Sequence, residues 1–293
     1  MNEQKVYPRT ALIVLTLLNL VNYVDRSVLN AVQPLIQTEF RLTKTQLGYL
    51  TSAFLIFYMI AAPFVGPLAD RYSRKVIIAL GAFFWSGLTL LTAVTHNYAE
   101  LLVRHTLVGI GEATFVTIAP TFVADLFAED RRGRILAVFY LAIPVGFALG
   151  YLLGGHLGPT HGWRVPFYVA AAPGFLIGIA VLFLKEPVRG QFDTLKETPD
   201  RGTVLGLAKN PAFLTATLGM AAMTFSLGGI LVWMPQFLFS ERHYTLEAAN
   251  SLFGIIVVVD GILSALAGGL LGDYLLPKMK GSYYFISATG MAL

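Results

Sequence analysis

Two scarcities narrow the class of protein before any motif is considered. The chain has no cysteine among its 293 residues, which excludes a secreted scaffold held together by disulfides. Charged residues make up only 13%, against a usual share of about 25%, while hydrophobic residues make up 56%. So few charges cannot cover a soluble globule of this length. The composition therefore indicates an integral membrane protein.

The net charge of +4 does not indicate a nucleic-acid partner. The Lys and Arg residues cluster in short gaps between apolar segments and do not form a stripe on one face, as a nucleic-acid-binding surface would require. The distribution of the charges therefore supports the membrane interpretation and predicts a lipid bilayer as the surroundings of the chain.

Long apolar runs predict an all-α polytopic fold, because a helix needs about 20 apolar residues to cross the hydrocarbon. The first run is too long for the core of a cleaved signal peptide, so it is interpreted as a retained spanning helix. The predicted segments are 10–36, 46–68, 75–94, 98–126, 133–157, 164–184, 211–239, 247–271 and 282–293.

A polar stretch divides these segments into two groups. Residues 1–184 form a predicted bundle of six helices, residues 185–210 form a predicted cytoplasmic linker rich in Pro, Gly and mixed charge, and residues 211–293 begin a second bundle. The last run is too short to span a bilayer. We therefore expect the chain to be a fragment, or an incomplete representation, of a longer protein.

The distribution of Lys and Arg predicts the orientation. With the N-terminus inside, most cations fall in the inner loops, and positive charge is retained on the cytoplasmic side. We therefore expect a multi-pass protein of the cell membrane with a cytoplasmic N-terminus. The cations in the predicted outer loops are Arg41, Lys44, Arg164 and Arg242.

An internal repeat relates the two groups of helices. Three features of the first helical hairpin recur at nearly constant separation in the hairpin that follows the linker. Parallel repeats of this size are typical of transporters built from two halves around a central path, although membrane hairpins can also look alike without such a relation. The matching features are Pro34 with Pro235, Thr43 with Thr245, and Gly66-x-Leu68-x-Asp70 with Gly269-x-Leu271-x-Asp273.

The stretch GPLADRYSRK, residues 66–75, resembles motif A of the major facilitator superfamily. It departs from the usual pattern at Ser73, where that family has glycine, so the turn there is expected to differ. RHTLVGIGEA and KEPVRG resemble two further elements of the superfamily. The residues that match motif A are Gly66, Leu68, Asp70, Arg71, Arg74 and Lys75.

Within that superfamily the first half resembles the Spinster family of lysolipid and sphingolipid transporters. The resemblance implies two six-helix halves, the second incomplete here, and a monomeric transporter that uses a proton gradient and no cofactor. The stretches that carry it are NYVDRSVLNAVQPLIQ, GIGEATFVTIAPTFVADLF and RRGRILAVFYLAIPVGFALGYLLGG.

The motif A residues have two interpretations. A cluster of cations at this boundary is a positive-inside anchor, but an anchor does not explain Asp70 or the Gly66 spacing before it. The resemblance implies a conformational lock that steadies the outward-facing state. We expect Arg74 to pair with Asp125, and this pair to break when the inner gate opens. The other predicted members of the lock are Gly66, Asp70, Arg71 and Lys75.

Four charged residues of the first half lie in the interior of predicted helices, namely Asp25, Arg26, Arg104 and Glu112. Arg104 is shallower than the others, but its long side chain can reach inward. A charge at the bilayer centre costs at least about 2.5 kcal/mol, so these residues must face one another or water. They form either a static ion-pair network or a transport site. Our hypothesis is that Asp25 or Glu112 carries the coupled proton, while Arg26 and Arg104 bind an anionic headgroup through bidentate hydrogen bonds.

Asp260 lies at a similar depth in the second half, at the level of Tyr58 in the first. Either Asp260 lines a central cavity with Tyr58, or it contacts a helix that this chain does not include.

A membrane enzyme is the rival class. No pair of histidines has the i,i+4 spacing of a metal site, and the chain has neither G-x-S-x-G nor a Walker-type loop. The sequence therefore favours a transporter over an enzyme. The substrate stays open between an amphipathic lipid, such as a lysophospholipid or sphingoid phosphate, and a small organic anion carried with protons, because both would use a cationic pocket and a titrating carboxylate.

Overall fold

The computed structural model of the chain describes residues 7–192, 206–207, 209–279 and 281–292, and it contains no β-strand among them. Part of the predicted linker and Leu293 lie outside these residues. The helices are α1 (Pro8–Phe40), α2 (Lys44–Arg71), α3 (Arg74–Thr92), α4 (Tyr98–Ala124), α5 (Glu129–Tyr140), α6 (Ala142–His161), α7 (Arg164–Leu182), α8 (Pro211–Ser240), α9 (Leu246–Leu275) and α10 (Ser282–Ala292).

Eight helical stretches among the described residues are long and apolar enough to cross a membrane, with Glu129–His161 counted as one. They correspond to the first eight predicted segments. The ninth segment is the 11-residue helix α10, which is too short to span. The polytopic all-α prediction is therefore confirmed.

Polar N-cap residues fix where helices begin, and the second helix of each half has a threonine in this position. Thr43 Oγ1 accepts a hydrogen bond from the Gln46 backbone N–H, and the Thr43 backbone N–H donates to Gln46 Oε1, which is a complete capping box at the start of α2. Thr245 caps α9 by accepting from the Ala248 N–H at 3.2 Å. The Thr43 and Thr245 of the sequence repeat thus have the same structural role.

The predicted fifth segment is broken where the sequence predicted one helix. α5 ends at Tyr140 and α6 begins at Ala142. Pro144 has no backbone N–H to give to the carbonyl four residues earlier, so the helical hydrogen-bond ladder is interrupted there. On α1, Asn19 Nδ2 donates to the Phe139 carbonyl at 3.0 Å, which satisfies an acceptor beside the break.

Close packing of α1 against α6 holds the first half (α1–α7) together. A Cβ atom on Gly150 would lie 2.5 Å from the Val24 carbonyl oxygen, and one on Gly154 would lie 2.5 Å from Ala31 Cβ. Small residues at four-residue spacing permit this approach of two helix backbones. The glycines of α6 therefore serve packing.

The two halves contact each other from the middle of their helices towards one end of the bundle. We call the side on which α1 begins the proximal side and the opposite side the distal side. Tyr151 on α6 donates to the Leu231 carbonyl on α8 and packs against Phe253 on α9. The other polar contacts between the halves in the described parts of the chain lie towards the distal side: Gln37 with Gln236, Lys44 with Glu241, His156 with Glu247, and Asn250 with the Ala31 carbonyl.

Candidate functional site

A buried ion pair joins α1 to α4 inside the first half. Arg26 Nε donates to Glu112 Oε2, and we call these two residues the central pair. The Glu112 side chain is completely buried, whereas the Arg26 side chain is 19% exposed. Arg26 Nη2 and Glu112 Oε1 have no hydrogen-bond partner among the described residues. By hydrogen-bond geometry the pair therefore has one donor and one acceptor without a partner, with the Asn22 side chain near Glu112 and the Tyr58 hydroxyl near Arg26.

Aromatic rings enclose the guanidinium of Arg26. Its Cζ lies 5.1 Å from the ring centroid of Tyr23, 5.2 Å from that of Phe54 and 5.0 Å from that of Tyr58. Rings at these distances stabilise a cation without neutralising it. The placement of Tyr58 agrees with its predicted position near the central site.

Asp25 lies beside the central pair but faces another helix. It is 6% exposed, and its Oδ2 accepts a hydrogen bond from Thr89 Oγ1 of α3 at 2.5 Å. Of the two carboxylates proposed as proton carriers, Glu112 is therefore the one that contacts the cation.

Arg104 does not join the central pair. Its Nη1 donates to the Leu91 carbonyl at 2.6 Å, and its Nη2 lies 3.4 Å from Glu100 Oε2. Arg104 thus satisfies a backbone acceptor near the C-terminal end of α3. The expectation that its long side chain reaches inward is wrong in this structure, and the four charged residues do not form a single network.

His105 belongs to the surroundings of this site, although the sequence analysis considered histidines only as metal ligands. It is buried, and its ring centroid lies 5.2 Å from that of Phe54. His105 precedes Glu112 by seven residues, or two helical turns, so both lie on one face of α4. The seven-residue spacing between His105 and Glu112 could therefore have predicted that His105 lies on the same face of α4 as the site.

Asp260 lies on α9 with an exposed side chain. The next residue, Gly261, packs against Pro144, so a Cβ atom there would lie 2.6 Å from Pro144 Cβ. Asp260 is thus close to the break between α5 and α6. Its two predicted roles both stay predictions.

A second buried arginine organises the proximal side. Arg74 Nη1 donates to Asp125 Oδ2 at 2.6 Å, which confirms the predicted pairing. Glu186 accepts from the Arg74 backbone N–H at 2.9 Å and lies 3.3 Å from its Nε, and Arg74 Nη2 donates to the Pro187 carbonyl at 3.1 Å. Every nitrogen of this guanidinium has a partner.

The start of the linker completes this arrangement. Arg189 donates to the carbonyls of Ala69, Asp70 and Tyr72, which caps the C-terminal end of α2. We call Arg74, Asp125, Glu186 and Arg189 the proximal cluster. The sequence analysis named KEPVRG as a signature but assigned no role to Glu186 or Arg189.

The hydrogen bonds of Glu186 outweigh its burial. Burial alone would raise the pKa of this carboxyl, but hydrogen bonds from Ser73 and Arg74 hold the pKa below its usual value. Ser73 Oγ donates to Glu186 Oε2 at 2.5 Å, and its φ of −64° needs no glycine. The departure from the family motif at Ser73 therefore supplies an additional hydrogen bond.

The remaining members of the predicted lock are placed differently. Lys75 Nζ donates to the Leu182 and Leu184 carbonyls at 2.9 and 2.8 Å, so it caps the end of α7. The side chains of Asp70 and Arg71 are exposed, and nothing lies within 4 Å of a Cβ atom placed on Gly66.

The Arg74–Asp125 pair joins α3 to the end of α4, so both partners belong to the first half. The pair cannot by itself hold one half against the other. It is intact although the polar contacts described between the halves lie at mid-membrane and towards the distal side. The expectation that this pair breaks when the inner gate opens stays a prediction.

Comparison with known proteins agrees with this architecture. The chain is 34% identical to Protein spinster of Drosophila melanogaster over 95% of this chain and 48% of that protein. It is 37% identical to the sphingosine-1-phosphate transporter SPNS2 of Danio rerio over 90% of this chain and 56% of that protein. The chain thus spans about half the length of the curated relatives it matches.

Solved structures give the same result. The chain is similar to a bacterial homologue of the human lysosomal transporter Spinster in an inward-facing and occupied conformation, with 25% identity and a TM-score of 0.80 over 94% of this chain and 63% of that one. The inward-facing, unoccupied conformation gives 26% identity and a TM-score of 0.81. The family model described as Major Facilitator Superfamily matches residues 15–293. The chain therefore belongs to the Major Facilitator Superfamily.

Proposed function

We propose that the protein is a secondary active transporter that moves an amphipathic lipid with an anionic headgroup by alternating access, driven by protons. The observation that carries this proposal is the central pair, in which a partly buried arginine keeps an unpartnered donor, Nη2, while aromatic rings enclose it. A purely structural ion pair gains stability by satisfying such groups, whereas a binding site leaves them for a ligand.

Arg26 is the residue proposed to bind the headgroup. Its planar guanidinium can form two parallel hydrogen bonds to a phosphate, and the low polarity of the surroundings strengthens them. The neighbouring rings give an apolar wall that suits the first carbons of a lipid tail. One relative supports this substrate class, because it bears the name of a sphingosine-1-phosphate transporter.

Glu112 is the proposed proton carrier. It is fully buried and contacts Arg26 directly, so its charge and the occupancy of the arginine are coupled. When a phosphate binds Arg26, the positive charge of the arginine is shared between the phosphate and Glu112. The Glu112 carboxylate is then less stabilised by that charge, which favours its protonation. Asp25, bonded to Thr89, is the second candidate for this role.

The proximal cluster is the proposed lock, in a modified form. The cluster makes α2, α3, α4 and the start of the linker a single rigid unit. The exposed Asp70 and Arg71 side chains are then the groups that can contact the second half when the proximal side closes. In this proposal the proximal side is cytoplasmic, the protein works as a monomer, and it resides in the cell membrane.

Transport by the full-length protein in liposomes tests the proposal. A fluorescent lysolipid and a small aromatic acid are compared under an imposed proton gradient. We expect gradient-dependent lysolipid movement, reduced at least about tenfold in Glu112→Gln. The matched control is Glu100→Gln, which removes a carboxylate at the distal end of the same helix and is expected to transport normally.

Each outcome separates a part of the proposal. Movement of the acid alone would keep proton coupling and replace the lipid by a small organic anion. Wild-type pH dependence in both Asp25→Asn and Glu112→Gln would rule out both proton carriers. Hydrolysis of lipid or nucleotide by the purified protein would instead support an enzyme.

A further inference from the structure

A row of neutral amide side chains runs along α1 on the distal side of the central pair. It consists of Asn30, Gln33 and Gln37, and we call it the amide row. Spacings of three and four residues place these side chains on one face of the helix, together with Arg26. Amides are uncommon on a membrane helix because each brings both donors and acceptors that need partners.

Gln33 is the unusual member of this row. Its side chain is completely buried, and neither its amide oxygen nor its amide nitrogen has a hydrogen-bond partner among the described residues. It follows Arg26 by seven residues, which places it on the same helix face about 10 Å towards the distal side.

The amide row ends at the contact between the two halves. Gln236 Nε2 on α8 donates to Gln37 Oε1 at 3.0 Å. Gln236 is only 5% exposed, yet its Oε1 has no partner within the described residues. Gln33 lies one turn inside this bridge. Two amides with unsatisfied atoms therefore lie between Arg26 and the distal ends of α1 and α8.

Packing does not account for this pattern. Buried polar groups that serve structure are nearly always hydrogen-bonded, and an unsatisfied one favours any rearrangement that gives it a partner. Separation of the halves on the distal side would expose Gln33 and Gln236 to water or a ligand and so give them partners. A leucine in either place would fill the same space without that penalty.

We propose that Gln33, with Gln37 and Gln236, forms a distal subsite for the hydroxyl and amine groups of a lipid headgroup. The subsite is occupied when the distal side opens and the headgroup moves outward from Arg26. An amide both donates and accepts, so it matches a hydroxyl group, which does the same, whereas an arginine only donates and matches the phosphate at the preceding step. This inference rests on the proposed function, because it concerns the same substrate.

The experiment compares two lipid phosphates of equal chain length. One is a sphingoid phosphate, which carries a hydroxyl and an amine near the phosphate, and the other is a plain alkyl phosphate. Equilibrium binding and initial transport rates are measured with the full-length protein in liposomes. We expect the wild type to prefer the sphingoid phosphate about tenfold, which corresponds to about 1.4 kcal/mol.

Gln33→Leu is expected to reduce this preference to less than about twofold, while binding of the plain alkyl phosphate changes little. Thr38→Val is the matched control, because it removes a polar group from an exposed position on the next turn of α1. It should keep the wild-type preference. If Gln33→Leu does not fold, Gln236→Leu tests the same preference from the other half.

The results distinguish this inference from the proposed function. If the wild type binds both lipids equally, or Gln33→Leu retains the full preference, the subsite is wrong while Arg26 can still bind phosphate. An equal loss of both lipids in Gln33→Leu would give Gln33 a structural role and also overturn the subsite. If the wild type binds neither lipid, the lipid substrate and the subsite fail together.

Discussion

Arg74 and Arg26, two arginines in the interior of the first half, differ in how completely their hydrogen bonds are satisfied. Arg74 has partners for Nε, Nη1 and Nη2, and its side chain is 5% exposed. Arg26 bonds one carboxylate through Nε and leaves its Nη2 without a partner among the described residues. Both arginines face aromatic rings and carboxylates, so residue type alone does not separate them.

This difference in hydrogen bonding indicates different roles for Arg74 and Arg26. A saturated arginine can accept no further ligand, so Arg74 contributes to the stability of the proximal side. An arginine with a free donor can bind an anion without first breaking an existing bond. Burial and charge are therefore weaker indicators of a binding site than the number of donors left unsatisfied.

The largest expected effect on stability follows from replacing Arg74, whose guanidinium donors all have partners. Arg74→Gln leaves Asp125 and Glu186 partly buried without their cation. Removing one partner of a buried pair costs about 3–5 kcal/mol. We expect the free energy of unfolding to fall by about that amount, measured by thermal or denaturant unfolding in detergent. Arg71→Gln, an exposed arginine of the same motif, is the control and should change little.

Acid should weaken the same cluster through Glu186. Its pKa in the folded protein lies below its usual value, so the stabilisation is complete above the unfolded-state pKa and is lost as the pH falls through the folded-state value. We expect the unfolding temperature to decrease once the pH drops below about 4.3. Glu186→Gln should have a flatter acid profile. An unchanged profile in that variant would contradict the assignment.

The rings around Arg26 should have a smaller effect, seen in binding. Tyr58→Leu removes one ring 5.0 Å from the guanidinium, a contact worth about 0.5–2 kcal/mol. We expect a several-fold weaker affinity for a lipid phosphate and little change in unfolding. Tyr58→Phe keeps the ring and should bind like the wild type. Equal losses in both variants would point to the hydroxyl group instead.

Features written in local sequence were predictable. Hydropathy located the spans because length and apolarity are local properties, and the Thr43 cap follows from residues three apart. The Arg74–Asp125 pair was predicted because the family resemblance placed both residues at the same end of the bundle.

Features that depend on side-chain direction were not predictable. Hydropathy gives the depth of a residue but not where a long side chain points, so the Arg104 side chain was expected to reach inward although it bonds Leu91. The break at Leu141 requires weighing one proline against a strongly apolar run. The docking of Glu186 onto Arg74 joins residues 112 positions apart, which no local pattern encodes.

The most direct test of the account is transport of a lipid phosphate by Arg26→Lys in liposomes, with Arg74→Lys measured beside it. Lysine keeps the charge opposite Glu112 but lacks the planar fork that binds phosphate. The account predicts that Arg26→Lys transports at least about tenfold more slowly at an unchanged unfolding temperature. In Arg74→Lys it predicts a lower unfolding temperature. Wild-type transport by Arg26→Lys would contradict the claim that this arginine binds the substrate.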